Sequence, residues 1–207
     1  MKTLFLLSLM VLVINNIAAQ ETETVITYPL GNFRVSILSE DESQRDAGLL
    51  KGTTPEMLRK YLPEGMFPMD LQVFLVRTPD KNILIDAGYG KNLFKNLQSL
   101  GIAEADIHVI LLTHLHGDHI GGLLRDGKIA FPNAEIYLSQ AEYDYWTTEK
   151  PADAVRKIMA AYKDKLHVFV PSEPEEQSAE LFPGFRAIAA CGHTPGHKAG
   201  IIICFER

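Results

Sequence analysis

Thr113-His114-Leu115-His116-Gly117-Asp118-His119 and Gly192-His193-Thr194-Pro195-Gly196-His197 hold five of the seven histidines of this 207-residue chain. Neutral imidazoles and a carboxylate are the ligands that zinc-class ions take at neutral pH, so the two windows together read as a metal site. Residues two apart on an extended chain point to the same side, which lets His114 and His116 face one ion. Gly117 then permits a sharp turn, after which Asp118 and His119 can aim at a second position beside the first. His193 arrives from a different strand end as the third ligand of the first ion. His108 and His167 stand alone and read as ordinary hydrogen-bonded residues.

Strand-like runs must carry these windows to one place. Residues 107–112 form a continuous β-rich run of the kind covered on both faces of a sheet, and the first window sits at its C-terminal end, where open sheets place ligands. Residues 71–76 and 82–85 read as two strands joined at Pro79-Asp80, with Asp86-Ala87-Gly88 following the second. Earlier, residues 24–28 and 32–38 look like strands around a Pro29-Leu30-Gly31 turn, and the acidic stretch 39–46 reads as loop. Thr54 caps a helix that opens at Pro55 and runs to about residue 61. Residues 66–69, Met-Phe-Pro-Met, read as an apolar loop that either covers the mouth of the site or packs onto the domain.

Leu93, Phe94, Leu97 and Leu100 have helical spacing, which stops at Gly101, and Gly121-Gly122 permits close backbone packing behind the first window. Residues 135–138 form a strand, Ser139 caps a helix carrying Tyr143 and Trp146, and a longer helix over 151–165 puts Val155, Ile158, Met159 and Tyr162 on one face. Tyr143, Tyr145 and Trp146 are candidates for a pocket wall, though aromatics at this spacing more often serve a core. Strands over 166–170, 185–190 and 200–205 complete the pattern, with a surface loop at 171–176.

A content of 46% hydrophobic and 22% charged residues fits one globular domain. Lys2, the apolar run 4–14 and the segment Ile17-Ala18-Ala19, which ends in small residues, predict a secretory signal peptide over 1–20, leaving a domain over 21–207. The apolar run is short for a bilayer, so the expected protein is secreted or periplasmic, without stable membrane insertion after cleavage. A formal net charge of −6, one more negative once Lys2 is removed, argues against a nucleic-acid partner. Cys191 and Cys204 each occupy a strand-like apolar context where a free buried thiol is the expected state.

His114-x-His116-x-Asp118-His119, followed by Gly192-His193-Thr194-Pro195-Gly196-His197 and preceded by Asp86-Ala87-Gly88, resembles the metallo-β-lactamase superfamily of hydrolases. The resemblance covers the chain from about residue 30 onward. It implies an α/β (α+β) fold, the αββα sandwich, with the active site at one edge of two packed sheets. It implies one or two zinc ions, with iron or manganese as alternatives. His114, His116 and His193 match the first metal site of that family, and Asp118 and His119 match part of the second.

By the same resemblance Asp118 is the candidate catalytic residue, orienting a nucleophile and passing a proton to the leaving group. Asp86 is expected to act as a carboxylate behind the ligands, and His197 to support its loop. The segment Phe131-Pro132-Asn133-Ala134, with Tyr143-Asp144-Tyr145-Trp146, is similar to secreted members that resemble methyl parathion hydrolase and the acyl-homoserine lactone lactonases. The implied substrate is a small molecule with an ester, lactone or phosphotriester bond, and the protein partner allowed for is a second copy of the chain in a homodimer.

The family also supplies a bridging Asp on a later strand and a further C-terminal His, and the sequence stops at Arg207 before either. The expectation is therefore a fold whose C-terminal part is missing. Two other readings remain open: a metal-binding fragment without catalysis, and an iron-dependent oxidoreductase on the same scaffold.

Overall fold

The computed structural model describes residues 20–22, 24–170, 178–182 and 184–202. The expected leader up to residue 19, the loop 171–176 and Cys204 lie outside the described residues. Eight strands form one sheet in the order β1 (Gln20–Thr22), β2 (Val25–Leu30), β3 (Phe33–Asp46), β4 (Met66–Arg77), β5 (Asn82–Ile85), β6 (Val109–Leu111), β9 (Glu135–Ser139) and β10 (Leu166–Phe169). The first five are an antiparallel meander, and the last four pair in parallel. A two-stranded ribbon, β7 (Leu124–Arg125) with β8 (Lys128–Ile129), interrupts the run between β6 and β9. A second, antiparallel sheet orders β11 (Ser178–Phe182), β12 (Phe185–Ala189) and β13 (Lys198–Ile202).

Strand alternation assigns the two faces of the large sheet to two different partners. Leu84 of β5, Ile110 of β6, and Ile136 and Leu138 of β9 point into a core shared with Leu93 and Leu97 of α2 (Leu93–Ser99) and with Val155, Ile158 and Met159 of α5 (Asp153–Ala161). Their neighbours Ile83, Val109 and Leu111 point the other way, into a smaller core with Phe185 of β12. Phe33 stacks on Phe185 there at 5.8 Å between centroids. Helices, large sheet and small sheet are thus consecutive layers, as expected of the αββα arrangement.

Five sequence expectations need correction. Residues 39–46 are not a loop but the distal half of β3, and residues 66–69 are not an apolar loop but the start of β4. The two segments pair with each other from Asp46↔Met66 to Asp41↔Leu71. Side chains over 42–46 and 66–71 alternate between half-buried and exposed, so polar residues are tolerated and backbone pairing overrides their weak strand propensity. The first hairpin turns at Gly31-Asn32 rather than 29–31, with Gly31 at φ 57°, so Pro29 and Leu30 remain in β2.

Cys191 is exposed, because it falls in the turn after β12 rather than in a strand. The expected helix over 151–165 is the shorter α5 followed by a separate turn of 3-10 helix, Lys163–Lys165. The helix α1 (Pro55–Tyr61) forms as expected, with Thr54 Oγ1 accepting from Met57 N–H.

Candidate metal centre

β5 and β6 lie side by side in parallel and deliver their C-terminal ends to one edge of the sheet. The turn after β5 places Asp86 at φ 64°, a conformation uncommon for a non-glycine residue. Its carboxylate reaches across to the first histidine window. Asp86 Oδ1 accepts Thr113 N–H at 2.8 Å, and Oδ2 accepts the Thr113 hydroxyl at 2.8 Å. His119 Nδ1 lies 2.7 Å from the same Oδ2.

The backbone closes this corner too. Ala87 N–H donates to the His119 carbonyl, and Gly122 N–H donates to that of Gly88. A Cβ on Gly122 would stand 2.2 Å from the Ala87 carbonyl oxygen, so only glycine permits the approach.

Beyond β6 the chain passes Thr113 and His114, then His116 in extended conformation at the entry to α3 (Gly117–Ile120), which carries Asp118 and His119. The second window is the turn between β12 and β13, held by Ala190 N–H to the His197 carbonyl and by His197 Nδ1–H to the Ala190 carbonyl, at 3.0 and 2.9 Å. That bond gives His197 the loop-supporting part expected of it. The turn brings His193 against the first window. His114 Nε2 and His116 Nδ1 stand 3.0 Å apart, as do His116 Nδ1 and His193 Nε2, and one ligand atom from each of the three lies within 4.8 Å of the others.

These three residues fit a metal ion. Ligand nitrogens on tetrahedral zinc sit about 3.3 Å from one another, given zinc–nitrogen bonds of roughly 2.0–2.1 Å. Thr113 donates to Asp86, which leaves its oxygen to accept from His114 Nδ1–H at 3.0 Å and puts the lone pair on Nε2, the nitrogen that faces His116. Burial, then the neighbouring imidazoles, drives the His114 pKa down to about 2, and the same two causes lower that of His116. Both rings are therefore held neutral, the form that binds metal. His114 is buried, His116 half-buried and His193 exposed, so the cluster opens to solvent on the His193 side.

Asp118 and His119 sit beside this triad rather than within it. His119 Nε2 is 3.7 Å from Asp118 Oδ2, and the His119 ring lies 3.9 Å from that of His114. Burial works to lower the His119 pKa, but the hydrogen bond and charge of Asp86 and the charge of Asp118 outweigh it, and the pKa is raised. With Nδ1–H directed to Asp86, His119 presents Nε2 toward the carboxylate of Asp118, the pair expected at the second position. His108 and His167 are structural as expected: His108 Nδ1 accepts Asn82 N–H, and His167 pairs with Glu135 and stacks on Tyr137.

Among the aromatics, Trp146 packs its edge 5.3 Å from the His116 ring, at the start of a π-helical stretch, Tyr145–Glu149, that continues α4 (Gln140–Asp144). Trp146 and Tyr143 are at the same time half-buried against the main core, as the core reading expects. Sequence reasoning missed Glu142. The Ser139-Gln140-Ala141-Glu142 pattern has the form of a capping box, yet only half of one forms. Ser139 Oγ accepts Glu142 N–H, while the Glu142 carboxylate turns toward the histidine windows and is buried there.

Residues 70–200 match the family profile described as the Metallo-beta-lactamase superfamily. An N-acyl homoserine lactonase of Bacillus cereus is 25% identical over 166 residues, covering 68% of this chain and 61% of the relative, so the chain spans less than two thirds of that protein's length. A ribonuclease Z of Saccharolobus islandicus is 46% identical over 54 residues, 26% of this chain and 18% of that protein. Among solved structures, AidC, described as a dizinc quorum-quenching lactonase in complex with a product, superposes with a TM-score of 0.76 at 26% identity, covering 87% of this chain and 71% of its own. The hydrolase AbOPH, described as in the beta lactamase superfamily, superposes at 0.70 and 27% identity over 86% of this chain and 69% of its own.

Proposed function

The chain belongs to the metallo-β-lactamase superfamily, and from that premise we propose that it is a secreted zinc-dependent hydrolase of small molecules with lactone, ester or phosphotriester bonds. The observation that carries the reading is the convergence of His114, His116 and His193 on one point, with ring nitrogens 3.0 Å apart. One or two zinc ions bound there supply Lewis acidity toward water and toward the scissile carbonyl or phosphoryl group.

Within that scheme the residues have separate tasks. His114, His116 and His193 hold the first ion and leave its solvent side open. Asp86 and Thr113 fix the tautomers of His114 and His119. Asp118, half-buried beside His119, holds the second ion with it and carries the proton to the departing oxygen. Trp146 excludes water from one side of His116 and offers an apolar face to the substrate.

The lactonase similarity supports a lactone as the first substrate to try. The net charge of −6 supports a small molecule over a polyanion. Export rests on the basic start and apolar run of the leader, and N-terminal sequencing of the protein recovered from its producing cells tests it.

The decisive assay uses the full chain stripped with chelator and reloaded with zinc. N-hexanoyl homoserine lactone, an aryl ester and an aryl phosphotriester serve as separate probes. Turnover that disappears on stripping and returns with zinc is the expected result. Zinc bound without turnover of any probe would instead favour the non-catalytic reading, and iron with oxygen consumption the oxidoreductase.

A further inference from the structure

Glu142 is buried, and its carboxylate accepts four hydrogen bonds from three separate parts of the chain. Oε1 takes Leu115 N–H at 3.0 Å and the Trp146 indole N–H at 2.6 Å. Oε2 takes the Thr194 hydroxyl at 2.7 Å and Gly196 N–H at 3.0 Å. A carboxylate offers about four lone-pair sites, so all of its accepting capacity is committed.

The donors are not scattered. Leu115 separates His114 from His116, and Thr194 follows His193 directly. One side chain therefore touches the backbone between two ligands of the first ion and the residue next to the third. Gly196, having no Cβ, lets the turn close on the same spot: a Cβ there would lie 2.2 Å from Glu142 N, and the Gly196 carbonyl accepts the Ser139 hydroxyl at 2.7 Å.

We infer that Glu142 is a positioning residue for the metal centre, which locks the His193 turn in register with the His114–His116 pair and so presets the geometry of the first ion. The inference rests on the metal reading proposed above. Apart from this anchor, Lys198 N–H to the Thr113 carbonyl, the His116–His193 contact at 3.0 Å and the packing of the two sheets tie the second window to the first. Glu142→Gln keeps the shape but replaces one acceptor oxygen with a donor group facing N–H and O–H donors. Thr194→Val removes a single bond and is the milder variant.

The test measures zinc affinity by competition with a chromophoric chelator, and the visible spectrum of the cobalt-loaded protein, on the full chain. Tyr162→Phe serves as a stability control. The Tyr162 hydroxyl bridges Phe131 N–H and the Leu123 carbonyl in the core, away from the histidines. Glu142→Gln is expected to weaken zinc binding on the order of 10–100-fold, with Thr194→Val weaker than wild type in the same direction. Both should alter the cobalt bands, while Tyr162→Phe lowers the melting temperature without either effect.

Wild-type affinity and spectrum in a folded Glu142→Gln or Thr194→Val variant would overturn the inference and leave the metal site standing. If Glu142→Gln does not fold, Thr194→Val alone decides. A wild-type chain that binds no zinc would overturn the metal reading and the inference together.

Discussion

His119 Nδ1 and Asp86 Oδ2, separated by 33 positions in sequence, lie 2.7 Å apart, and the same oxygen accepts the Thr113 hydroxyl that meets His114 Nδ1. One carboxylate thus sets the tautomer of a residue in each of the two candidate metal positions. Asp86→Asn turns an amide donor toward groups that are themselves donors, either Thr113 N–H or the Thr113 hydroxyl and His119 Nδ1–H. It is expected to weaken zinc binding by roughly 10–100-fold, measured by calorimetric titration of the stripped protein. An unchanged titration would remove Asp86 from the orienting role.

His116 contributes the nitrogen that stands 3.0 Å from both His114 and His193. His116→Ala deletes the central ligand while leaving α3, which begins at Gly117, intact. The variant should keep its circular dichroism spectrum and lose zinc stoichiometry by elemental analysis, together with any hydrolysis. Retained stoichiometric zinc would mean that the ion sits elsewhere.

The candidate metal ligands were legible because strand ends and a two-residue histidine spacing are local signals, and the structure brings His114, His116 and His193 together. Glu142 was not legible. Its partners Leu115, Thr194 and Gly196 lie 27, 52 and 54 positions away, and nothing in the local pattern separates it from a capping glutamate. The hairpin arm was missed for a different reason. Residues 39–46 carry polar side chains on both faces, so the hydrophobic alternation that marks a half-buried strand is absent, and only the ladder with β4 defines it. Core strands such as β5 and β6, buried on both faces, announced themselves by composition alone.

Gly122 gives a sharper test of how tightly the corner beside the metal centre is built. A methyl group there would meet the Ala87 carbonyl oxygen at 2.2 Å and the Gly90 Cα at 3.3 Å, both backbone atoms that cannot rotate away. Gly122→Ala should destabilise the fold by about 1–3 kcal/mol, read as a shift in the urea midpoint. Zinc affinity should fall with it, because the Asp86 turn is the element displaced. A wild-type midpoint would show that the two loops are not in firm contact.

Glu40 carries the pH prediction. It lies at the irregularity in the β3–β4 pairing, is fully buried, and accepts Lys91 N–H and Asn92 N–H at 2.6 and 3.0 Å. Those amides lead into α2, whose own N-cap, Asn92, makes no side-chain capping bond, so a residue from another strand caps the helix. Burial raises the Glu40 pKa above its ordinary 4.5, although the backbone hydrogen bonds work in the opposite direction. The folded protein therefore holds this proton more tightly than the unfolded chain does. Its contribution to stability is fully present below pH 4.5 and is lost as the pH rises through the raised folded value. Glu40→Gln does not titrate, so the unfolding free energy of wild type minus that of Glu40→Gln should be largest in acid and decline toward neutrality. Urea unfolding of both proteins at matched ionic strength, from about pH 4 to pH 7, measures that difference. A difference that stays flat or grows with pH would mean that the helix-capping bonds, and not burial, govern the ionisation of Glu40.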